Sequence, residues 1–377
     1  MGFFLEQTLG IECYFKEMIL DLNNTAKQYK RPFLIAGPCS AETEEQVHSV
    51  AKDLAEKSTT AILRAGIWKP RTRPNSFEGV GEEGLNWLVN AGKKNGLPTT
   101  TEVANAKHVE LALGAGVDVL WIGARTTVNP FAVQEIADAI KGTKITVMVK
   151  NPVNPDLMLW IGALERFQQA GIDDLIAIHR GFSVYNHPKY RNVPNWEIPI
   201  ALVEKMPDIP LICDPSHISG RRDGLQEVAQ KAMDLNFAGL MLETHNNPDQ
   251  AWSDPKQQVT PDGLVDLMSK LKLRKEHLSK DEMSFIGLMR GKIADLDDKM
   301  FSMLSERMKI AEEVGIYKRE NDITILQQEH WKEIIEKRLS QSEELRLTPK
   351  FVRSVMDAIH QESIRHQTKV MNPDLIE

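Results

Sequence analysis

Short apolar runs rich in β-branched residues recur through the first two-thirds of the chain and constrain its fold more than any other feature. We interpret eight of them as buried strands, at residues 32–37, 61–65, 98–103, 119–123, 145–149, 175–179, 210–214 and 239–243. Stretches with helical periodicity separate these runs, including residues 44–57, 83–95, 106–115, 131–141, 158–171, 223–236 and 261–272. Buried strands that alternate with helices indicate parallel βα units. Eight units within about 240 residues predict an α/β fold, a closed (β/α)8 TIM barrel.

A doubly wound open sheet is the structural alternative to this barrel. Eight repeats favour closure, and no Gly-x-Gly-x-x-Gly sequence follows the first run, as a dinucleotide-binding sheet would require. The sequence therefore favours the barrel.

The periodicity changes near residue 275. Residues 284–314 predict one long amphipathic helix, and residues 326–339 predict a second. A third helix begins after Thr348 and Pro349, an N-cap followed by a first helical residue, and extends to about residue 370. We therefore divide the chain into a barrel over residues 1–269, a charged linker over 270–281 and a small all-α three-helix domain over 282–377.

A three-helix unit with one very long helix buries little surface by itself. We therefore expect the chain to form a homodimer through the helical domain, and a further interface on the barrel would make a higher oligomer.

Composition and charge exclude several classes of protein. A chain with 42% hydrophobic and 26% charged residues is typical of soluble globular proteins. No signal-like segment is present and no apolar run reaches about 18 residues, so we expect a cytoplasmic protein without a membrane partner. Cys13, Cys39 and Cys213 are few for such a long chain and favour a reducing compartment. A net charge of −7 argues against a nucleic-acid partner.

Basic residues follow several of the predicted strands. They are Arg64, Lys69, Arg71, Arg125, Lys150 and Arg180. Barrel enzymes carry their active sites at the carboxyl ends of the strands, so these six cations would share one mouth. Because like charges repel, such a cluster favours the binding of multiply charged anions such as phosphates and carboxylates. The alternative is that each of them is a solvated surface charge.

A second set of strand-end residues could hold a metal ion. It consists of Cys39, His217, Glu243 and Asp254. A thiolate, an imidazole and two carboxylates suit a borderline divalent ion such as Mn, Fe, Co or Zn. Because the four are far apart in sequence, they can form a site only if the barrel brings them together. The alternatives are a buried apolar thiol and a hydrogen-bonded loop histidine.

These motifs resemble those of DAHP synthase, in the class of that family with a compact core. The matching segments, within residues 30–260, are Gly37-Pro38-Cys39-Ser40, Lys69-Pro70-Arg71-Thr72, Gly123-Ala124-Arg125, His179-Arg180-Gly181 and Asp214-Pro215-Ser216-His217. The resemblance implies condensation of phosphoenolpyruvate (PEP) with erythrose 4-phosphate, with release of phosphate. A related synthase of an eight-carbon sugar phosphate, which uses arabinose 5-phosphate, is the close alternative, and the intact Lys-Pro-Arg-Thr segment favours the four-carbon aldose.

The resemblance also implies roles for single residues. Cys39, His217, Glu243 and Asp254 would bind the metal. The substrate-binding residues would be Arg125 and Lys150 for the PEP phosphate, Arg64, Lys69 and Arg180 for its carboxylate, and Arg71 with Thr72 for the aldose. The candidate catalytic groups are Lys69, Asp214 and His179, and Glu102 is a further candidate for handling the protons of the attacking water.

The last segment, over residues 288–371, resembles the all-helical class of chorismate mutase. The matching segments are Met289-Arg290-Gly291-Lys292-Ile293, Leu296-Asp297, Leu304-Ser305-Glu306-Arg307, Val314-Gly315, Lys318, Glu362-Ser363 and Gln367. The resemblance implies that Arg307, with Arg290 of a partner subunit, holds the two carboxylates of chorismate. Lys318 and Gln367 would then face its ether oxygen, as substrate-binding and catalytic groups.

The match departs from that class at the start of the second helix. His330 and Trp331 stand where an Arg-Glu pair is usual, and Gln327 stands where an aspartate is common. An indole N–H only donates, so it cannot replace a carboxylate that accepts from the substrate hydroxyl, unless the register shifts and Glu329 serves instead. Two hypotheses stay open for this domain, a working mutase and a non-catalytic sensor and dimerisation module. In both, we expect prephenate binding there to inhibit the synthase.

Overall fold

The computed structural model describes residues 32–69, 77–185, 187–275 and 279–372. The chain divides into two compact units, residues 1–276 and 277–377. This division falls within the segment that the sequence predicts as a linker. Arg71 and Thr72, predicted to contact the aldose, lie outside the described residues.

The first unit is the predicted TIM barrel. Its eight strands are all parallel, and they close in chain order because β1 pairs with both β2 and β8. The strands are β1 Phe33–Gly37, β2 Thr60–Arg64, β3 Thr99–Val103, β4 Val119–Ile122, β5 Thr146–Lys150, β6 Leu175–His179, β7 Leu211–Cys213 and β8 Gly239–Glu243. Every predicted strand is confirmed to within about one residue at each end, and closure rules out the open doubly wound sheet.

Helices follow the strands as a barrel requires. They are α1 Glu44–Lys57, α2 Glu82–Asn95, α3 Ala106–Ala115, α4 Ala124–Thr127, α5 Pro130–Ile140, α6 Leu157–Gln169, α7 Glu197–Lys205, α8 Pro215–Ser219, α9 Leu225–Asp234 and α10 Pro261–Ser269. The sequence did not predict α4, α7 and α8. Two of these are single short turns, too brief to show a 3.6-residue period, and α7 begins without a side-chain cap.

Side-chain alternation along the strands separates two cores. Phe33 and Ile35 of β1 belong to the cluster inside the barrel, whereas Leu34 and Ala36 belong to the layer beneath the helices. The same alternation places one inward-facing residue at or just past the end of most strands, and these residues are polar. They are Arg64, Glu102, Lys150, Arg180, Asp214 and Glu243. The barrel mouth is therefore lined by charges that sit directly on a packed apolar interior.

The second unit consists of α11 Lys280–Glu320, α12 Gln328–Ser340 and α13 Pro349–Met371. The three helices were predicted, but α11 is longer than the predicted 284–314 and starts within the predicted linker. Its start is fixed by a capping box, in which Ser279 accepts from the Glu282 N–H and Glu282 accepts from the Ser279 N–H. None of the described helices is long and apolar enough to cross a membrane.

Two parts of α11 differ in burial. Near its carboxyl end, Met308, Ala311 and Gly315 are buried against the rest of the unit. Its amino-terminal half carries a row of exposed apolar side chains, namely Met283, Phe285, Leu288, Ile293, Leu296, Met300, Phe301 and Met303. An exposed apolar row of this length is typical of a protein–protein interface.

Candidate active sites

Arg64 is the central cation of the barrel mouth. It ends β2, its side chain is only 1% exposed, and its Nη2 lies 3.2 Å from Glu243 Oε1. Its guanidinium lies over the Trp121 ring, 4.9 Å from the centroid. Nε and Nη1 are buried without a hydrogen-bond partner among the described residues. Because buried N–H groups are costly to leave unpaired, two such donors on one cation indicate a site for an anionic group.

Asp214 connects two of the predicted site residues. This fully buried carboxylate lies at the amino end of α8, where Oδ1 accepts from the His217 N–H at 3.1 Å. Its Oδ2 accepts from Lys150 Nζ at 2.9 Å and lies 2.8 Å from His217 Nδ1. Burial alone would raise the pKa of Asp214, but the charges of His217 and Lys150 hold it well below its usual range. Asp214 is therefore a buried anion that orients both neighbours.

The four predicted metal ligands fall into two close pairs. Cys39 Sγ lies 3.4 Å from Asp254 Oδ2, and His217 Nε2 lies 3.7 Å from Glu243 Oε1. Two ligand atoms held at about 2.1 to 2.3 Å in tetrahedral geometry are about 3.5 Å apart, so both spacings fit one ion. Among the described residues, however, no three such side chains are arranged as ligands of one ion. Lys69 Nζ lies 3.1 Å from Cys39 Sγ, beside these pairs.

The electrostatics of these residues also fit a cation. Burial, aided by the Glu243 charge, raises the pKa of the Cys39 thiol to about 12. Burial would also raise the pKa of Glu243, yet His217 and Arg64 lower it. A buried thiol of this kind ionises when a divalent ion replaces its proton. The Nδ1 of His217 faces the Asp214 carboxylate, which leaves Nε2 as the ligand atom, as in carboxylate–histidine–metal arrangements.

Asp254 has a strained backbone. It has a φ of +48°, a left-handed conformation that residues other than glycine adopt at a cost. Its Oδ1 accepts from Arg191 Nη1 at 3.0 Å. Arg191 also donates to Gln257 Oε1 at 2.6 Å, and Gln257 donates to Glu243 Oε2 at 2.6 Å. Arg191 therefore connects two of the candidate ligands.

Buried hydrogen bonds join the loop after β1 to the loop after β8. His245 Nε2 lies 3.3 Å from Glu42 Oε2, and Glu42 Oε1 accepts from the Trp252 N–H at 2.8 Å. Ser40 and Ser253 are bonded through their hydroxyls at 2.7 Å. The Cys39 N–H donates to Gln258 Oε1 at 3.0 Å. These bonds hold Cys39 beside the segment that carries Asp254.

The helical unit forms a second cationic site. The Arg307 guanidinium of α11 donates to the Ser363 hydroxyl of α13. Eleven residues later, Lys318 Nζ donates to Ile325 O at 2.7 Å and to Gln367 Oε1 at 3.2 Å. Burial lowers the pKa of both cations. Gly315 lets the helices approach, because a Cβ there would lie 2.6 Å from Val370 Cγ2 and 3.0 Å from Gln367 Cα.

The two units match different protein families. Residues 21–280 match the DAHP synthetase I family. The chain belongs to this family. Residues 289–368 match chorismate mutase type II. This member of the DAHP synthetase I family is therefore a bifunctional enzyme, a transferase barrel joined to an isomerase domain.

Several known proteins are similar to this chain over about two thirds of its length. The phospho-2-dehydro-3-deoxyheptonate aldolase of Thermotoga maritima is 29% identical over 239 residues, which cover 63% of this chain and 68% of that protein. Its crystal structure matches with a TM-score of 0.57, over 63% of this chain and 67% of that one. The 2-dehydro-3-deoxyphosphooctonate aldolase of Azoarcus sp. (strain BH72) is 28% identical over 260 residues, 64% of this chain and 90% of that protein.

The barrel of this DAHP synthetase I family member brings together most of the predicted residues. One network of hydrogen bonds and ion pairs at the mouth connects Cys39, Lys69 and Arg64 with Glu243. Arg180 is half-buried, and burial, opposed by the Asp214 charge, lowers its pKa to about 10. Arg125 is exposed and lies close enough to Arg180 for the two charges to interact. Glu102 accepts from Trp121 Nε1 at 2.9 Å through Oε2.

His179 is placed differently from the prediction. It faces the layer between barrel and helices, where its ring packs against Trp160, Phe182, Trp196 and Phe237. Burial lowers its pKa to about 3. The reason is strand alternation, since Ile178 and Arg180 take the inward positions on either side of it. This placement does not support the predicted catalytic role of His179.

Arg191 was missed because its loop, between β6 and α7, has no periodic pattern. The tyrosines, prolines and charges around it are typical of a surface loop. No pattern in the sequence marks its approach to Asp254.

His330 and Trp331, which stand in place of the usual Arg-Glu pair of the mutase class, make different contacts in the structure. Trp331 stacks on His360 of α13, with ring centroids 3.8 Å apart and planes 8° apart. His330 is exposed and lies 3.8 Å from Glu333. Glu329 is exposed as well, so the structure gives no support to a shifted register in which Glu329 would replace the usual glutamate. Arg290 is exposed on the amino-terminal half of α11.

Proposed function

We propose that the barrel condenses PEP with erythrose 4-phosphate to 3-deoxy-D-arabino-heptulosonate 7-phosphate, and that the helical domain rearranges chorismate to prephenate. The observation that carries the first part is Arg64, a buried guanidinium whose Nε and Nη1 have no hydrogen-bond partner among the described residues. Family membership supports both activities.

In the barrel, Arg64, Lys69 and Arg180 would bind the carboxylate of PEP, and Arg125 with Lys150 would bind its phosphate. Fixing PEP in this way places its C3 towards the aldehyde carbon and removes much of the entropic cost of encounter. The new bond joins these two carbons. Water then adds to C2, and the phosphate leaves from the same carbon.

Members of this family are generally metal-dependent. Here Cys39, His217, Glu243 and Asp254 would bind the ion, Mn, Fe, Co or Zn, which when bound supplies Lewis-acid polarisation of the aldehyde. Asp214 would act as a positioning residue, since it holds Lys150 and His217. Glu102 would handle the protons of the attacking water, because its Oε1 makes no hydrogen bond to the described residues.

The eight-carbon synthase is a second candidate for the barrel, because a relative with that activity in its name is 28% identical, against 29% for the phospho-2-dehydro-3-deoxyheptonate aldolase. A competition assay separates the two reactions. The purified full-length protein, chelated and then resupplied with manganese, is given PEP with erythrose 4-phosphate, arabinose 5-phosphate or both. We expect metal-restored consumption of PEP with the four-carbon aldose. Consumption with arabinose 5-phosphate alone would reassign the barrel.

In the helical domain, Arg307 and Lys318 would bind the carboxylate and ether groups of chorismate, assisted by Gln367. The rearrangement needs no nucleophile, so two fixed cations around a compact conformer can supply the required electrostatic stabilisation. Loss of chorismate absorbance, measured with the full chain, tests this activity. A flat trace from folded protein would leave the sensor hypothesis.

We further propose that α11 forms a homodimer. Seventeen residues separate Arg290 from Arg307, which is about 25 Å along a helix, so both cannot reach one ligand from the same chain. The exposed apolar row beside Arg290 would pack on the same row of a second copy, bringing Arg290 to the partner's site.

Prephenate would inhibit the synthase by binding at Arg307 and Lys318. Such feedback requires prephenate to bind one arrangement of the protein more tightly than another. We expect Arg307→Ala to retain condensation but lose this inhibition. Inhibition of the same strength in Arg307→Ala would place the regulatory site elsewhere.

A further inference from the structure

Trp331 and His360 form a stacked pair of rings in the helical unit, and the functions proposed above give neither side chain a role. The two rings are nearly parallel at 3.8 Å, and both side chains are half-buried. The ring nitrogens of His360 have no hydrogen-bond partner among the described residues. A histidine held by stacking alone keeps both nitrogens available to a ligand.

His360 lies on the side of α13 that forms the cationic site. Residues three and seven positions apart on a helix share one face, so His360, Ser363 and Gln367 line up along α13. Ser363 is bonded to Arg307, and Gln367 is bonded to Lys318. His360 therefore continues the row of residues that meets both cations, one turn beyond Ser363.

The charge state of His360 suits recognition of a neutral group. Burial, together with the positive charges of Arg307 and Lys318, lowers its pKa, although Asp357 opposes this. The lowered pKa favours the neutral imidazole, in which one nitrogen donates and the other accepts. A neutral ring adds no repulsion to a site built for carboxylates, and it can bond to a hydroxyl.

We infer that His360 recognises the ring hydroxyl of the cyclic dicarboxylate bound by Arg307 and Lys318, and that Trp331 positions the imidazole for this contact. The inference rests on the proposed function of the helical domain. It assigns hydroxyl recognition to α13, whereas Trp331 on α12 supplies packing. His360 thus accepts the hydrogen bond from the ring hydroxyl that a carboxylate at position 331 would otherwise accept, and it adds no negative charge.

The test measures how strongly binding depends on the ring hydroxyl of the ligand. The full-length protein is titrated calorimetrically with prephenate and with an analogue in which hydrogen replaces the ring hydroxyl. In the unmodified protein we expect the analogue to bind about tenfold more weakly, the effect of one lost hydrogen bond. His360→Phe keeps an aromatic ring on Trp331 but removes the nitrogens, so there the two ligands should bind within about twofold of each other.

Two further variants and an assay of chorismate conversion separate the outcomes. Trp331→Phe keeps an aromatic ring stacked on the imidazole, so it should retain most of the difference in affinity between the two ligands. His360→Gln should restore part of the difference that His360→Phe loses. Equal discrimination in the unmodified protein and in His360→Phe would overturn the inference while leaving ligand binding intact. Failure of the full-length protein to bind either ligand, or to convert chorismate, would instead reject the proposed function of the domain and this inference with it.

Discussion

Arg64 is the residue on which the barrel chemistry most depends. It is held between the Glu243 carboxylate and the Trp121 ring, and its remaining donors are buried. Because the rings and carboxylates around it are fixed by strand ends, the guanidinium needs little reorganisation to meet an anion. A flexible surface arginine would lack this advantage.

Replacing Arg64 with methionine keeps the length of the side chain and removes the charge. We expect kcat/KM for PEP to fall by about 100-fold or more, the loss of two charge-assisted hydrogen bonds at about 1.5 kcal/mol each. The matched control is Lys57→Met, which removes an exposed cation at the end of α1. Thermal unfolding of both variants checks that the barrel stays folded. Unchanged kcat/KM in folded Arg64→Met protein would contradict the assignment.

The two described cysteines provide a second comparison. Cys39 lies at the mouth beside Asp254, whereas Cys213 lies in β7 within the layer under the helices. We expect Cys39→Ala to lose bound metal and condensation, and Cys213→Ala to retain both, because only the first thiol is near other ligand atoms. Elemental analysis of dialysed protein measures the metal directly. Equal metal content in the two variants would remove Cys39 from the ligand set.

The close contact between α11 and α13 depends on a glycine, because any larger side chain would not fit between the two helices. The two helices meet at Gly315, where a Cβ would be within 3.0 Å of atoms of α13. We expect Gly315→Ala to destabilise the helical unit by about 1 to 3 kcal/mol and to reduce mutase activity, because Lys318 and Gln367 would separate. Chemical unfolding followed by circular dichroism measures the change.

The control for this substitution lies in the same helix. Gly287 is exposed, and a Cβ there would meet nothing within 4 Å. Gly287→Ala should therefore stabilise the helix by up to about 1 kcal/mol through helix propensity alone. Similar effects of the two substitutions would show that the close approach at Gly315 is not what holds α11 against α13.

The whole molecule combines a self-contained barrel with a helical unit that exposes apolar surface. The barrel has two apolar cores, one inside the strands and one beneath the helices, and needs no partner to bury them. The helical unit buries only part of α11. The two activities should therefore respond differently to loss of the proposed dimer.

The double substitution Ile293→Glu and Leu296→Glu would place two negative charges in the exposed apolar row of α11. We expect this double variant to be monomeric by light scattering and to lose at least about tenfold in mutase activity, because Arg290 could no longer reach the partner's site. Met158→Glu, which replaces an exposed apolar residue of α6, should change neither property. A dimeric double variant with full mutase activity would contradict the proposed interface.

Local patterns in the sequence determined the eight strands and most of the helices of this protein. Eight buried runs with intervening helical periodicity were sufficient for the barrel, because each strand carries its own apolar signal and closure follows from their number. The three carboxyl-terminal helices were predicted for the same reason. The resemblance of short motifs to two families supplied the candidate residues, and both families are confirmed.

Only the tertiary structure decided how those residues meet. The inward or outward direction of a strand-end side chain depends on register, so His179 lies among aromatic rings while Arg180, its neighbour, lies at the mouth. Arg191 and the Trp331–His360 stack depend on contacts between segments distant in sequence, which no local pattern records. Periodicity reports the burial of a side chain within its own element, whereas the chemistry of a site depends on which other elements fold against it.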